Sequence, residues 1–377
     1  MADLDLKALS PLFYWAGIFI AFFSSFLILG KVKKRTADFV LAVWFLIIGA
    51  HLTFFVLFLS EGYMKFSYLI GFEIPFPFMH GPMLYLYILC ITGRSPGKKI
   101  WLLNCVPVFI IYIMLLQFLL MSPHERVMVY QNKGKGYEML SQMIKFLMIF
   151  SGIFYVGLSL LAIKNYKKKI SDQYSNTEKI NINWSYYLII GIALIWIAVI
   201  IRNDVLIFSL VVLFIVVAAY FGISRVGILD LPVTAEVPDS KRTDRDEETI
   251  KYQKNSPGDD VIHSIYEKLI SKMEDEKLYK DPDLNLNYVA KLLEVHPNIL
   301  SQVINSIENK NFYDYINRQR IEEFKRIVIL QENQKFTILS LAFESGFNSK
   351  TSFNRNFKKY VNCSPSEFMK NQSVHIE

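Results

Sequence analysis

Seven uncharged apolar runs constrain this chain more than any other feature of its sequence. A hydrocarbon core of about 30 Å needs roughly 20 helical residues to cross it. Backbone amides in lipid must be satisfied within their own segment, so each run is predicted to be a helix and not a strand. We therefore expect an all-α protein that begins with a bundle of seven transmembrane helices. The runs occupy residues 11–29, 39–59, 74–92, 100–121, 146–163, 184–201 and 205–223.

Two of the predicted crossings are irregular. Only the polar residues 202–204 interrupt a stretch of about forty residues, which as one helix would be about 60 Å long, twice the bilayer core. We therefore predict a tight hairpin there. The third run carries Pro75, Pro77, Gly81 and Pro82 in its first half, which predicts a kinked or partly re-entrant start.

The distribution of charge predicts the orientation of the chain in the membrane. Residues 1–223 hold 19 Lys and Arg against 10 Asp and Glu, whereas residues 224–377 hold 22 against 24. The loops after the first, third and fifth runs carry 12 Lys and Arg, and the opposite side carries 6. Positive loops stay in the cytoplasm, so we expect an inner-membrane protein with its amino terminus outside and its tail in the cytoplasm. Because Asp3 and Asp5 precede the first run, it does not resemble a signal peptide and is expected to be retained.

Three ionisable residues in or near the apolar runs are candidates for a polar site in the membrane domain: His51, Glu73 and His80. An alternative is that Glu73 lies at the interface while each neutral histidine makes one interhelical hydrogen bond. The three cysteines and the histidines form no set with the spacing of metal ligands, so no cofactor or metal is expected.

The composition changes abruptly after the last apolar run. Residues 228–260 are polar and charged and contain three prolines, and cannot bury enough apolar surface to fold alone. As a flexible coil this stretch would span on the order of 30 Å. We therefore divide the chain into a membrane domain at 1–227, a flexible linker at 228–260 and a soluble helical domain at 261–377.

Within the soluble part, two segments show the same pattern of a short helix, a tight turn and a second helix. In the first segment, a helix at 286–293 is followed by a break at 294–296, and Pro297 opens the next helix. In the second, a helix at 338–345 ends at Gly346, and Ser349 caps a further helix. This is the physical requirement of a helix-turn-helix, and the sequence predicts two of them.

A single helix at 312–330 is predicted to connect the two units, and the box Ser364-Pro365-Ser366-Glu367 opens a final short helix. Residues 284–368 resemble the DNA-binding domain of the AraC family of bacterial transcription regulators. Glu294 and Asn362 stand where that family commonly has glycine. The resemblance is carried by Val289-Ala290, Leu300-Ser301, the stretch from Phe312 to Ile321, the stretch from Ala342 to Lys359, and Ser364-Pro365.

The resemblance implies that both second helices enter successive major-groove faces of double-stranded promoter DNA, and that RNA polymerase is a further partner. The burial pattern turns polar residues of these helices outward. Arg, Asn and Gln can make the bidentate contacts that distinguish base edges, whereas Lys358 and Lys359 are expected to contact phosphate. The predicted DNA-binding residues are Asn298, Ser301, Gln302, Asn305, Lys350, Thr351, Asn354, Arg355, Lys358 and Lys359.

The sequence thus predicts a membrane-bound, one-component transcription regulator that is not an enzyme. Its membrane domain would sense an unidentified ligand, and dimerisation or a change in local concentration would couple that domain to the tail. Two alternatives are a membrane enzyme or transporter with a regulatory tail, and a receptor or transporter whose tail binds a protein partner. High salt discriminates DNA binding from protein binding, because counterion release dominates affinity for DNA.

Overall fold

The structure is a computed structural model that describes residues 6–94, 96–177, 182–224, 258–333 and 335–371. The described residues contain no strand, and one isolated bridge pairs Tyr174 with Asn285. The chain divides into two compact units, which we treat separately. Unit 1 comprises Met1–Asn165 and Ile182–Leu229, and unit 2 comprises Tyr166–Asn181 and Asp230–Glu377. The predicted domain boundaries are not tested by this division, and most of the predicted linker lies outside the described residues.

Unit 1 is built from apolar helices, because its sequence offers long uncharged runs with few polar breaks. The helices are α1 (Leu6–Leu29), α2 (Thr36–Leu59), α3 (Pro77–Ile91), α4 (Lys98–Met114), α5 (Leu116–Leu119), α6 (Pro123–Gln131), α7 (Glu138–Gln173), α8 (Trp184–Ile201) and α9 (Asp204–Ser224). The last residues of α7, from Tyr166 onward, belong to unit 2. Helix α1 packs on α2 and α9, and α2 also packs on α3. Many large apolar side chains of these helices remain exposed, as expected of surfaces that face lipid.

Five of the seven predicted crossings are helices that are long and apolar enough to span a membrane: α1, α2, α7, α8 and α9. The third and fourth runs are also helical, but α3 has 15 residues and α4 has 17. A helix of 15 residues is only about 23 Å long, less than the bilayer core of about 30 Å. The count of seven crossings is therefore not confirmed. Helix α3 begins only at Pro77, after a series of turns, which agrees with an irregular start of the third run.

The predicted hairpin between the last two runs is confirmed. Helix α8 ends at Ile201, Arg202 adopts a left-handed conformation with φ of 62°, and α9 begins at Asp204. The Asn203 side chain accepts a hydrogen bond from the Leu206 amide at 2.9 Å, which caps α9. Two consecutive polar residues, of which Arg202 has a left-handed backbone, are enough to reverse the chain.

Unit 2 contains a series of short helices, as the sequence predicts. They are α10 (Asp259–Glu276), α11 (Leu286–Leu292), α12 (Pro297–Glu308), α13 (Phe312–Val328), α14 (Ile338–Glu344), α15 (Lys350–Val361) and α16 (Pro365–Asn371). Each pair α11–α12 and α14–α15 forms one helix-turn-helix. We call α11–α12 the first unit pair and α14–α15 the second unit pair, and both pairs lie within unit 2. Helices α12 and α15 are their recognition helices.

The single helix α13 contributes to both hydrophobic cores of unit 2. Its first half places Phe312, Tyr315 and Ile316 in one core, together with α10 and the first unit pair. Its second half places Ile321 and Phe324 in the other core, together with the second unit pair and α16. The two helix-turn-helix elements therefore have separate hydrophobic cores, and the continuous helix α13 connects them.

The turns that join the helices follow from their residues. Gly346 has φ of 97°, which costs glycine little. A Cβ at this position would lie 2.4 Å from the Tyr279 carbonyl oxygen, so the turn also needs glycine for space. Glu294 and Asn362 are left-handed as well, with φ of 56° and 63°. Both positions where the sequence departs from the family's glycine thus keep the backbone conformation that glycine would adopt.

Candidate nucleic-acid interface and membrane cavity

The first recognition helix, α12, turns its apolar side inward and its polar side outward. Leu300, Val303 and Ile304 are fully buried. Asn298 and Asn305 are exposed, whereas Ser301 and Gln302 are half-buried. The helix starts at Pro297, and the imidazole Nδ1 of His296 accepts a hydrogen bond from the Asn298 amide at 3.2 Å. The outward face of α12 is therefore polar and uncharged. It can offer amide and hydroxyl groups to base edges.

The second recognition helix, α15, has a different outward face. Phe353 and Phe357 are buried against α13. The Ser349 hydroxyl caps the helix by accepting a hydrogen bond from the Ser352 amide at 3.1 Å. All six positions predicted to face DNA are exposed, and four of them are basic. They are Lys350, Thr351, Asn354, Arg355, Lys358 and Lys359.

Tyr313 on α13 is buried and contacts Arg355, the strongest candidate for base recognition. The Arg355 guanidinium donates a hydrogen bond to the Tyr313 hydroxyl at 2.7 Å and lies 5.9 Å from the centre of its ring. The buried amide of Asn356 donates to the same hydroxyl at 2.8 Å. Tyr313 therefore fixes both the position of α15 against α13 and the orientation of Arg355. The sequence pattern missed it, because Tyr313 lies beside the apolar stripe of α13 and not within it.

Lys359 and Lys358 differ in their surroundings. The ammonium group of Lys359 forms an ion pair with Asp314 at 2.6 Å, and its side chain is half exposed. The hydroxyl of Tyr360 donates to the carbonyl and carboxylate oxygens of Asp314 as well. The expected phosphate contact of Lys359 would therefore have to compete with Asp314. Lys358, one residue earlier, is exposed.

In unit 1, the structure brings two of the three candidate polar residues together. The imidazole rings of His51 and His80 are stacked, and Nδ1 of His51 lies 3.0 Å from Nε2 of His80. The indole N–H of Trp44 donates to Nδ1 of His80 at 3.4 Å. Since Nδ1 of His80 accepts, a neutral His80 carries its proton on Nε2 and donates to His51. Nδ1 of His51 then accepts this hydrogen bond, so a neutral His51 carries its own proton on Nε2, which is a donor.

Both histidines line a cavity of about 590 Å³ among α2, α3, α7, α8 and α9. Its wall is largely apolar, with Trp196 and Phe208 among the larger side chains. Three charged residues, Lys145, Arg202 and Asp204, also line it. A mostly apolar cavity with a few polar groups is typical of a small-molecule site.

Glu73 does not join the two histidines. It lies in the turns before α3, where its carboxylate accepts a hydrogen bond from the Gly71 amide at 2.7 Å. Glu73 is not among the residues that line the cavity. The sequence alone could not separate these three residues, because their spacing along the chain does not show which helix faces meet.

Comparison with known proteins identifies the C-terminal part of the chain. A family model described as a helix-turn-helix domain matches residues 289–371, which span α11 to α16. This part of the chain is a helix-turn-helix domain of the AraC type, so the resemblance is confirmed there. The fusion to seven membrane helices stays a prediction.

One relative carries a functional name. The Msm operon regulatory protein of Streptococcus mutans serotype c is 32% identical to this chain over 87 residues, which make up 23% of this chain. The chain spans only 30% of the length of that relative, so the similarity concerns one domain. No solved structure matches the chain.

Proposed function

We propose that this protein is a membrane-bound, one-component transcription regulator that recognises specific sites in double-stranded promoter DNA through α12 and α15. The observation that carries this proposal is the pair of recognition helices, each held by its own core and joined by α13. Both turn polar residues outward, and α15 adds four basic ones. A helix-turn-helix reads the major groove with such a face. The helix-turn-helix match and the regulator name of the relative support a non-enzymatic role.

In this proposal, Arg355 reads a base and Lys358 contacts phosphate. The uncharged face of α12, with Asn298, Ser301, Gln302 and Asn305, reads a second stretch of the groove. A bidentate Arg contact is worth about 1–3 kcal/mol of discrimination. RNA polymerase and a second copy of the chain are proposed partners of the DNA-bound state.

The proposed input is a signal ligand in the membrane domain. The cavity around His51 and His80 supports it, because it combines apolar walls with a hydrogen-bond donor and charged residues. The proposed location is the cytoplasmic membrane, with the amino terminus outside and unit 2 in the cytoplasm with the DNA. An odd number of crossings, five or seven, supports this arrangement, because it would leave the amino terminus and unit 2 on opposite sides of the membrane.

The test of DNA recognition uses the full chain in lipid nanodiscs. Genomic DNA fragments are selected for binding and sequenced, and the affinity of the enriched site is measured for the wild type, Arg355→Ala and Lys335→Ala. Lys335 is exposed and lies outside both recognition helices, so its replacement removes the same charge as a control. We expect Arg355→Ala to weaken binding to the site by about 5- to 150-fold, and Lys335→Ala to leave it nearly unchanged.

The competing function is a tail that binds a protein and not DNA. A titration from about 50 to 200 mM salt separates the two, because DNA affinity should fall by orders of magnitude as counterion release is lost. Enrichment of no site, or binding that does not respond to salt, would count against the proposed function and favour a protein partner.

A further inference from the structure

Helix α7 belongs to both units of the chain. It runs without a break through 36 residues, Glu138–Gln173, and would be about 54 Å long, well beyond a bilayer core of about 30 Å. The division between the units falls between Asn165 and Tyr166. Residues 166–177, which we call the α7 extension, comprise the last turns of α7 and the start of the following loop. They are part of unit 2, and Tyr166, Ile170 and Ser175 are buried.

Ser175 is the centre of the contact that the α7 extension makes. Its hydroxyl donates to the Leu284 carbonyl at 2.6 Å, and its amide donates to the same oxygen at 3.2 Å. Tyr174 forms a bridge with Asn285, whose side chain caps α11. The α7 extension is therefore bound at the start of the first unit pair.

The same serine also contacts the connecting helix α13. The Ser175 carbonyl accepts a hydrogen bond from the Asn317 amide group at 3.0 Å, and the Ser175 hydroxyl accepts one from Arg320 at 3.0 Å. One turn earlier, the Ser171 hydroxyl lies 3.3 Å from the Asn311 side-chain amide, at the first turn of α13. Asn317 is fully buried and Arg320 is 2% exposed. The contact between the α7 extension and α13 is therefore buried.

Arg320 contacts the α7 extension, the residues before the first unit pair and the turn of the second unit pair. Its guanidinium donates to the carbonyls of Tyr279 and Asp281, each at 2.7 Å, just before the first unit pair. Its Nε lies 3.0 Å from the point where a Cβ on Gly346 would be, in the turn of the second unit pair. Burial lowers the pKa of Arg320 to about 10, so the guanidinium stays charged at neutral pH. Ser175 therefore binds a charged group that contacts the residues before the first unit pair and lies beside the turn of the second unit pair.

The geometry points to the α7 extension as an internal ligand of the DNA-binding domain. When docked, it holds the two recognition helices at the separation that binds DNA, and a signal in the membrane domain acts by releasing it. This inference rests on the proposed function. Release leaves Arg320 its bonds to the carbonyls of Tyr279 and Asp281, so we expect the domain to stay folded. Docking lowers the ordering cost of DNA binding, because the two unit pairs are already arranged.

The test uses two changes in the full chain in lipid nanodiscs, with Cys90, Cys105 and Cys363 replaced by serine. In the first, Ser171→Cys and Asn311→Cys are joined by a short thiol-specific cross-linker, which locks the docked state. In the second, Ser175→Arg places a cation beside Arg320 and prevents docking. Lys169→Ser is the control, because Lys169 is exposed on α7, six residues before Ser175.

We expect the cysteine pair to cross-link efficiently and the locked protein to keep the DNA affinity of its unlinked form. Ser175→Arg should lower the cross-linking yield, and it should weaken binding to the selected DNA site about fivefold or more. Lys169→Ser should change neither quantity. Hydrogen exchange of α13 and α15 shows whether the Ser175→Arg protein keeps its helix-turn-helix domain folded.

Three outcomes would overturn the inference: no cross-link in an otherwise intact protein, DNA affinity that is unchanged when docking is lost, or affinity that rises. Failure of the proposed function is distinguishable from these. In that case the wild type would select no DNA site, while the cross-linking yield would still report whether the α7 extension docks.

Discussion

The two unit pairs have the same architecture but differ in how the turn is made and in the charge of the recognition helix. The first turn uses Glu294 with φ of 56°, whereas the second uses Gly346 with φ of 97°. Helix α12 has no Lys or Arg, and α15 has four. Both turns need a left-handed backbone at one residue, and Gly346 needs glycine because of both its φ of 97° and the crowding around it. In the proposed function, this difference in charge means that α15 contributes more than α12 to the electrostatic attraction to DNA.

The largest expected effect is on the crowded turn. Gly346→Ala would place a Cβ 2.4 Å from the Tyr279 carbonyl oxygen and 2.8 Å from the Lys280 Cα, in a left-handed conformation. We expect a loss of about 3 kcal/mol of local stability, from backbone strain and overpacking together. Hydrogen exchange of α14 and α15 in the full chain measures it. Glu294→Ala is the matched control and should cost little, because a side chain already occupies that turn. Equal effects of the two changes would show that crowding does not distinguish the turns.

The next effect concerns the carboxylate that ties α13 to the residues before the first unit pair. Glu323 bonds to Arg326 at 2.8 Å and to Lys280 at 2.9 Å, and these bonds lower its pKa from 4.5 to about 2. A lowered folded-state pKa stabilises the fold above pH 4.5, and this stabilisation is lost as the pH falls towards 2. We expect the loss to be on the order of 2 kcal/mol.

Susceptibility to pepsin across this pH range measures the effect of Glu323. Glu323→Gln should be less stable at neutral pH, and its stability should fall less between pH 4.5 and 2 than that of the wild type. Glu322→Gln is the neighbouring control, since the Glu322 side chain is 55% exposed and its pair with Lys325 is a surface pair. An acid response of Glu323→Gln identical to the wild type would contradict the assignment.

A smaller effect compares the two recognition helices on DNA. Lys358→Ala should reduce the slope of log affinity against log salt by about 0.9, because one phosphate contact is lost. Asn298→Ala on α12 should weaken binding to the selected site without changing this slope, since Asn298 carries no charge. Fluorescence anisotropy at several salt concentrations measures both. A change of slope for Asn298→Ala, or none for Lys358→Ala, would remove the proposed asymmetry.

The smallest effect is a gain. Glu294→Gly should stabilise the first unit pair by up to about 1 kcal/mol, because glycine adopts the left-handed conformation more readily than glutamate. Asn362→Gly at the left-handed end of α15 should gain only a few tenths of a kcal/mol, because asparagine tolerates this region. Hydrogen exchange of α11 and α15 compares them. A loss of stability in Glu294→Gly would show that its side chain stabilises the turn by some contact.

Much of the helix-turn-helix domain was predictable, because its signals are local. Pro297, Ser349 and the Ser364-Pro365 box mark the starts of helices, and the structure begins helices there. The apolar spacing of α13 also identified its buried side. The polar residues predicted to face DNA are exposed or half-buried, but their roles remain a proposal, since exposure alone does not show what they bind.

The sequence by itself determined which segments are helical, where the chain reverses and which faces are apolar, since these properties depend on residues within one or two turns of each other. The tertiary structure decided the rest. It paired His51 with His80 and left Glu73 outside the cavity that they line. It also brought Arg355 into contact with Tyr313, and the α7 extension into contact with Arg320. Ser175 and Arg320 are 145 positions apart. No local pattern records such a contact, because it arises only when separately folded segments pack together.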